Sequence, residues 1–177
     1  MPTIRPLRAT DIPAARALLV AEDARHAYAA RAVEILDAVV VVVVAVAAAA
    51  VVVVATASGD GDGEYGAVAA VAGEALLGVA LHGVVAGSEG AGMIHGIVVA
   101  PAARRAGVGR GLVDGAVAAL VSSGARVVLA ELPDDPALGD LHALLRRSGF
   151  VEDGRVADLV RDGVAMVFWR RDAPGPG

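Results

Sequence analysis

Apolar positions along the 177-residue chain change their period several times, and each change marks an element. Thr3 to Leu7 reads as a short extended stretch. Thr10-Asp11-Ile12-Pro13 then supplies an N-cap side chain and a proline near the first turn, predicting a helix to about Glu22. Asp23 to Ala38 reads as a second helix, with Val33 and Leu36 on one side and Arg25, Arg31 and Glu34 elsewhere. Beyond a Val/Ala tract and a Gly/Asp loop from Ser58 to Gly63, Tyr65 to Val71 and Ala75 to Val85 read as two strands about a turn at Gly73-Glu74. Gly87 to Gly92 is a further turn. Met93 to Val99 is the strongest strand, ended by Ala100-Pro101 because proline cannot continue a central ladder.

From Gly109 to Ser123 the residues Leu112, Val113, Ala116, Val117, Leu120 and Val121 recur at helical spacing, with Gly124 as the stop. Arg126 to Leu132 is a buried-type strand, and Asp135-Pro136 opens a helix carrying Leu138, Leu141, Leu144 and Leu145 up to Gly149. Phe150 to Val160 and Val164 to Arg171 are strands joined at Asp162-Gly163. The expectation is one α/β domain over residues 1–172, with 173–177 a frayed Pro/Gly tail.

The tract from Ala38 to Ala57 complicates this pattern, since it has no charged residue and is long enough to cross a bilayer. Its flanks carry Asp37 and Gly59-Asp60-Gly61-Asp62 rather than Lys or Arg anchors, and a span there would split one domain across the membrane. The balance is against a membrane span. The tract is read instead as a low-complexity segment within the domain, and a tethered protein stays as the alternative.

Composition narrows the chemistry. Cysteine is absent, which excludes disulfides, a thiolate nucleophile and cysteine-ligated metal, and fits a cytoplasmic protein. All 15 basic residues are arginine, Asn and Gln are missing, and Ala, Val and Gly dominate, a bias expected of a GC-rich, bacterial genome. A net charge of −5 argues against a nucleic-acid partner. No pair of histidines has zinc spacing, and Asp60-x-Asp62-x-Glu64 lacks the later glycine and glutamate of a calcium loop, so no metal is expected.

The informative stretch is Val99-Ala100-Pro101-Ala102-Ala103-Arg104-Arg105-Ala106-Gly107-Val108-Gly109-Arg110-Gly111-Leu112, a strand, a basic loop and a helix start. Amides at a helix N-terminus are unsatisfied donors with partial positive charge, and glycines let a phosphate approach them. Gly107-x-Gly109 followed by Glu131 also suggests a dinucleotide turn. Against that reading, Leu112 stands at the third glycine position, and Pro101, Arg104 and Arg105 separate the strand from Gly107.

The signature Arg104-x-x-Gly107-x-Gly109 after Val99-x-Pro101, together with the element order, resembles the acetyl-CoA loop of the GCN5-related N-acetyltransferase (GNAT) superfamily. That resemblance implies a mixed, mainly antiparallel central sheet, splayed at Met93 to Val99, with helices on both faces. It implies acetyl-CoA as donor and a small-molecule or peptide amine as acceptor. The amides of Arg105, Ala106, Gly107, Val108, Gly109 and Arg110, with Arg104, would hold the pyrophosphate. Ile97, Val98 and Val99 would pair with the pantetheine arm, and an amide at Val98 or Val99 would stabilise the oxyanion. Dimerisation is common among such folds, and a homodimer stands as an expectation.

Transfer requires a neutral amine, whereas a lysine-like amine is protonated in all but roughly one part in two thousand near neutrality. His95, in the strand before the loop, is the candidate proton relay by resemblance to arylalkylamine-type members. Glu131, at the end of the next strand, is a candidate base or cation handle on a rim made acidic by Asp134 and Asp135. Many members carry a tyrosine acid four residues before the Gly149-Phe150 pair, and here that position is Leu145. A noncatalytic acyl-CoA-binding or sensor module is therefore the second reading. His26 and Tyr28 fall where the family builds its acceptor pocket, while His82 and His142 read as structural.

Overall fold

The computed structural model describes residues 2–23, 57–58 and 64–173. The second helix expected over residues 23–38, the Val/Ala tract and the pair His26 and Tyr28 lie outside the described residues. The strands among the described residues are β1 (Thr3–Pro6), β2 (Ala57–Ser58), β3 (Glu64–Ala72), β4 (Ala75–Val84), β5 (Ala91–Val99), β6 (Val127–Pro133), β7 (Val151–Arg161) and β8 (Val164–Asp172). The α-helices among the same residues are α1 (Ile12–Asp23), α2 (Val108–Ser122) and α3 (Gly139–Arg147). Seven strands run β1-β3-β4-β5-β6-β8-β7, and the short β2, where a loop is expected at Ser58, also pairs with β3. Every pairing is antiparallel except β5 with β6. The mixed sheet with helices on both faces is thus the architecture that the resemblance implies.

The two faces bury different sets because strand side chains alternate. Ala67, Val79, Leu81 and Val98 pack with Ala15 and Leu19 of α1. Val68, Ala70, Ala80 and Ile94 pack on the other face with Leu112, Val113, Ala116, Val117 and Leu120 of α2. The helical spacing of those α2 residues becomes one continuous stripe against the sheet. Trp169, Phe150 and Leu145 extend the same core beneath α3. β7 forms the opposite edge and is exposed along nearly its whole length.

Two buried ionisable groups shape this scaffold. Asp11, at the entry to α1, accepts from Arg5 at 2.6 and 2.9 Å and from the Arg8 N–H at 2.8 Å. Burial alone would raise its carboxyl pKa, but the Arg5 bonds, the Arg8 amide and the nearby positive charges hold it below the ordinary 3.8. His82 on β4 is buried over Gly66 of β3, where a Cβ would come within 2.6 Å of His82 Cε1. Burial first, and the neighbouring His95 second, lower its pKa from 6.5 to about 4. Among the described residues no helix is long and apolar enough to cross a membrane.

Acid stability should therefore fall in two steps. Below pH 6.5 an unfolded His82 gains a proton that the folded one refuses until about pH 4, so stability declines across that window. The expected loss is about 3 kcal/mol, and it should disappear in His82→Leu. Asp11 contributes above pH 3.8, and its contribution is lost as pH falls through its lowered folded value. Denaturant melts from pH 7 to pH 3 on the parent, His82→Leu and Asp11→Asn separate the two steps.

Candidate functional site

The site begins with one extra residue. β4 and β5 keep register from Gly78↔Val99 to Leu81↔Gly96 and resume at His82↔Ile94, so His95 bulges out unmatched. On its other side β5 pairs with β6 only from Ala91↔Val127 to Ile94↔Ala130. The next two residues, His95 and Glu131, would be the following pair if the ladder continued. The strands part there instead, and both residues line a small cavity with Gly96, Leu132, Leu141 and Leu145.

Parting leaves one edge of β5 without a strand neighbour. The Ala100 N–H donates to Leu77 O on β4 at 2.8 Å, while Arg104 Nε donates to Val99 O at 3.1 Å. Val98 O lies so close to β4 that a Cβ on Gly78 would be 2.6 Å from it. Since successive peptide groups of a strand point to opposite edges, Ile97 and Val99 present their N–H and C=O groups to the open edge. Val98 is committed to β4, which narrows the expected oxyanion donor to the alternate residues.

The chain then makes a turn of 3-10 helix at Pro101–Ala103 and a loop into α2. Arg105 adopts φ 63° and Gly107 φ 80°, both in the left-handed region, and Gly107 is the N-cap. The first amide with a carbonyl one turn earlier is that of Gly111, which donates to Gly107 O at 3.1 Å. The amides just before it are the orphan donors of the helix start.

A cleft of about 460 Å³ joins these parts. Ile97, Val98, Val99, Arg104, Arg105, Gly107, Gly109 and Arg110 form one wall, all from the stretch of residues that the resemblance assigns to the cofactor. Of that stretch, Ala106 does not line the cleft, and Val108 turns its side chain into the core. The cleft and the smaller cavity share Ile97 and Leu141, so they adjoin. The facing wall comes from α3, with Leu138, Asp140, Leu141, Leu144 and Arg147. The leucine spacing of α3 reads as a core face, yet Leu141 and Leu144 are half-buried and turn partly to the cleft. Arg105 reaches across to Asp140 at 2.8 Å. Four arginines against one aspartate suit a polyanionic ligand, and the apolar wall suits a long uncharged arm.

Other candidates take definite places. Tyr65 stands edge-on to the His95 ring with centroids 5.2 Å apart, a contact that no spacing in the sequence signals. His142 Nε2 bonds to Pro133 O at 2.9 Å beside Trp169, in the structural role expected of it. Leu145, at the position of the tyrosine acid, is 1% exposed and supplies no proton. The rim is less acidic than the sequence suggests. Asp134 is paired with Arg155 and Asp135 with Arg161, both arginines arriving from β7, which local sequence cannot foresee.

Because a Cβ at Gly107 would meet nothing within 4 Å, Gly107→Ala tests conformation alone. It should keep the fold and lose about 1–2 kcal/mol in a denaturant melt, the cost of a left-handed non-glycine residue.

Comparison with known proteins accords with this geometry. The acetyltransferase (GNAT) family model matches residues 48–150. No curated protein matches the sequence significantly. A structure from Desulfovibrio desulfuricans assigned to the GNAT family superposes with TM-score 0.77 at 21% identity, over 97% of this chain and 99% of that one. The ribosomal-protein-S18-alanine N-acetyltransferase of Escherichia coli superposes with TM-score 0.67 at 18% identity, over 100% and 97%. An assigned acetyltransferase from Salmonella typhimurium, solved with acetyl-CoA, gives TM-score 0.65 at 14% identity over 100% and 98%. With its parted β5 and β6 and its glycine-arginine helix start, the chain belongs to the GNAT family of acetyltransferases and takes acetyl-CoA as its acyl donor.

Proposed function

We propose that this protein is an N-acetyltransferase that moves the acetyl group of acetyl-CoA to a primary amine of a small molecule or peptide. The observation that carries the reading is that the cleft at an arginine-rich helix start adjoins the gap holding His95 and Glu131. Acetyl-CoA supplies a thioester activated toward amines. The amides from Arg105 to Arg110, with the Arg104 guanidinium, hold the pyrophosphate. The open edge at Ile97 and Val99 pairs with the amides of the pantetheine arm, and the half-buried Leu141 and Leu144 cover it.

Within the gap His95 and Glu131 hold the incoming amine and take its proton, since only the neutral amine carries a free electron pair. A backbone N–H at the open edge of β5 donates to the acetyl oxygen as charge develops there. The departing thiol, with an ordinary pKa of about 8.5, leaves as thiolate without a dedicated acid. The absence of cysteine and the use of acetyl-CoA support a cytoplasmic setting. Leu145 in the gap favours one second reading, an acyl-CoA-binding module without catalysis.

Calorimetric titration should give micromolar acetyl-CoA binding, weakened about tenfold in Arg104→Ala and abolished in Gly107→Glu, with no binding of NADH. Thiol release in the presence of amines should fall about 100-fold in His95→Ala at unchanged acetyl-CoA affinity. Binding without release by any amine would select the second reading, and absence of binding by folded protein would defeat both.

A further inference from the structure

We infer that the acceptor is an amine with a single positive charge carried on an aromatic or bulky apolar body, held by Glu131 and Phe168. The inference rests on the acetyltransferase reading and specifies its acceptor. It comes from the sheet face on the α1 side, at the β6–β8 end.

Register aligns three rows of side chains on that face. Met93, Leu129 and Arg170 form the first, and Pro133, Met166 and Val156 the third. Between them lie Glu131, Phe168 and Gly154, following directly from His95 across the gap. Residues directly opposite in an antiparallel pair have Cβ atoms about 4.5–5.5 Å apart on one face, so the side chains of Glu131 and Phe168 spring from neighbouring positions. Glu131 is exposed, and Met93, Leu129, Met166 and Phe168 are half-buried, an apolar floor around one acid. Gly154 leaves the far flank of the ring open, since a Cβ there would meet nothing within 4 Å.

Charge accounting then limits the acceptor. Asp134 and Asp135 are committed to Arg155 and Arg161, and Arg170 to Asp172 and Asp153. Among the described residues Glu131 is the carboxylate on this face without an ion-pair partner. One ammonium placed between Glu131 and the Phe168 ring gains a charge-assisted hydrogen bond and a cation–π contact. Its body then covers Met93, Leu129 and Met166. A polyamine or aminoglycoside would lay further charges on the same apolar floor, where no second unpaired carboxylate stands among the described residues, a desolvation cost without return.

The test is thiol release by the full chain at saturating acetyl-CoA with 2-phenylethylamine, butylamine, spermidine and kanamycin. Phenylethylamine should exceed the two polycations in kcat/KM by about tenfold or more. Glu131→Gln should raise the KM of both monoamines, and Phe168→Ala should raise that of phenylethylamine about fivefold while sparing butylamine. Replacement Arg155→Ala releases Asp134 and Glu152 and should lower the KM of spermidine, a gain that mere loss of structure would not produce. Equal or better use of the polycations by the parent protein, or no amine turned over by protein that binds acetyl-CoA, overturns the inference. Failure to bind acetyl-CoA at all defeats instead the acetyltransferase reading beneath it.

Discussion

The parting of β5 from β6 is the constraint on which the rest of the molecule depends. A ladder between two parallel strands satisfies peptide groups on both, so ending it after Ile94↔Ala130 leaves polar edges that need partners. The bulge at His95 bends β5 at the same point. Arg104 occupies part of the vacated edge by donating to Val99 O, and the remainder faces a cleft. In the function proposed above, a ligand arm with its own amides completes what the sheet gives up, and the break in pairing is then the binding site rather than a defect beside it.

Both walls of the cleft are held from outside it. α2 is fixed by a stripe of buried residues from Leu112 to Leu120, which aims its first turn and the orphan amides at the cleft mouth. α3 is anchored by Leu138 and Leu145, leaving Leu141 and Leu144 to face the ligand side. Arg171 ties the end of the sheet to Asp114 of α2 at 3.1 Å and to Ser148 O at 2.9 Å, bracing the two helices against each other. Stability and function thus draw on different faces of the same helices.

The ion pairs of β7 show how tertiary structure changes the meaning of a charge. Asp134 and Asp135 stand beside Glu131 in sequence and look like one acidic rim. An edge strand some twenty residues later brings Arg155 and Arg161 onto the two aspartates and leaves the glutamate beside Phe168. The three acids therefore divide into two ion-paired aspartates and one carboxylate without an ion-pair partner.

Periodicity and turn chemistry alone determined the described elements apart from β2. The helix from Val108, the strand ending before Pro101 and the terminal hairpin stand within a residue or two of where alternation and helical spacing put them, because those signals are local. The phosphate-shaped loop was legible for the same reason, as glycine and arginine spacing encode a helix start directly. Only tertiary structure decided that His95 is an unmatched residue, that it faces Glu131 across a gap, and that Tyr65 stands edge-on to it. It also decided which leucines of α3 turn to the cleft and which carboxylates stay unpaired. Those facts depend on register between strands distant in sequence, which no local pattern of residues specifies.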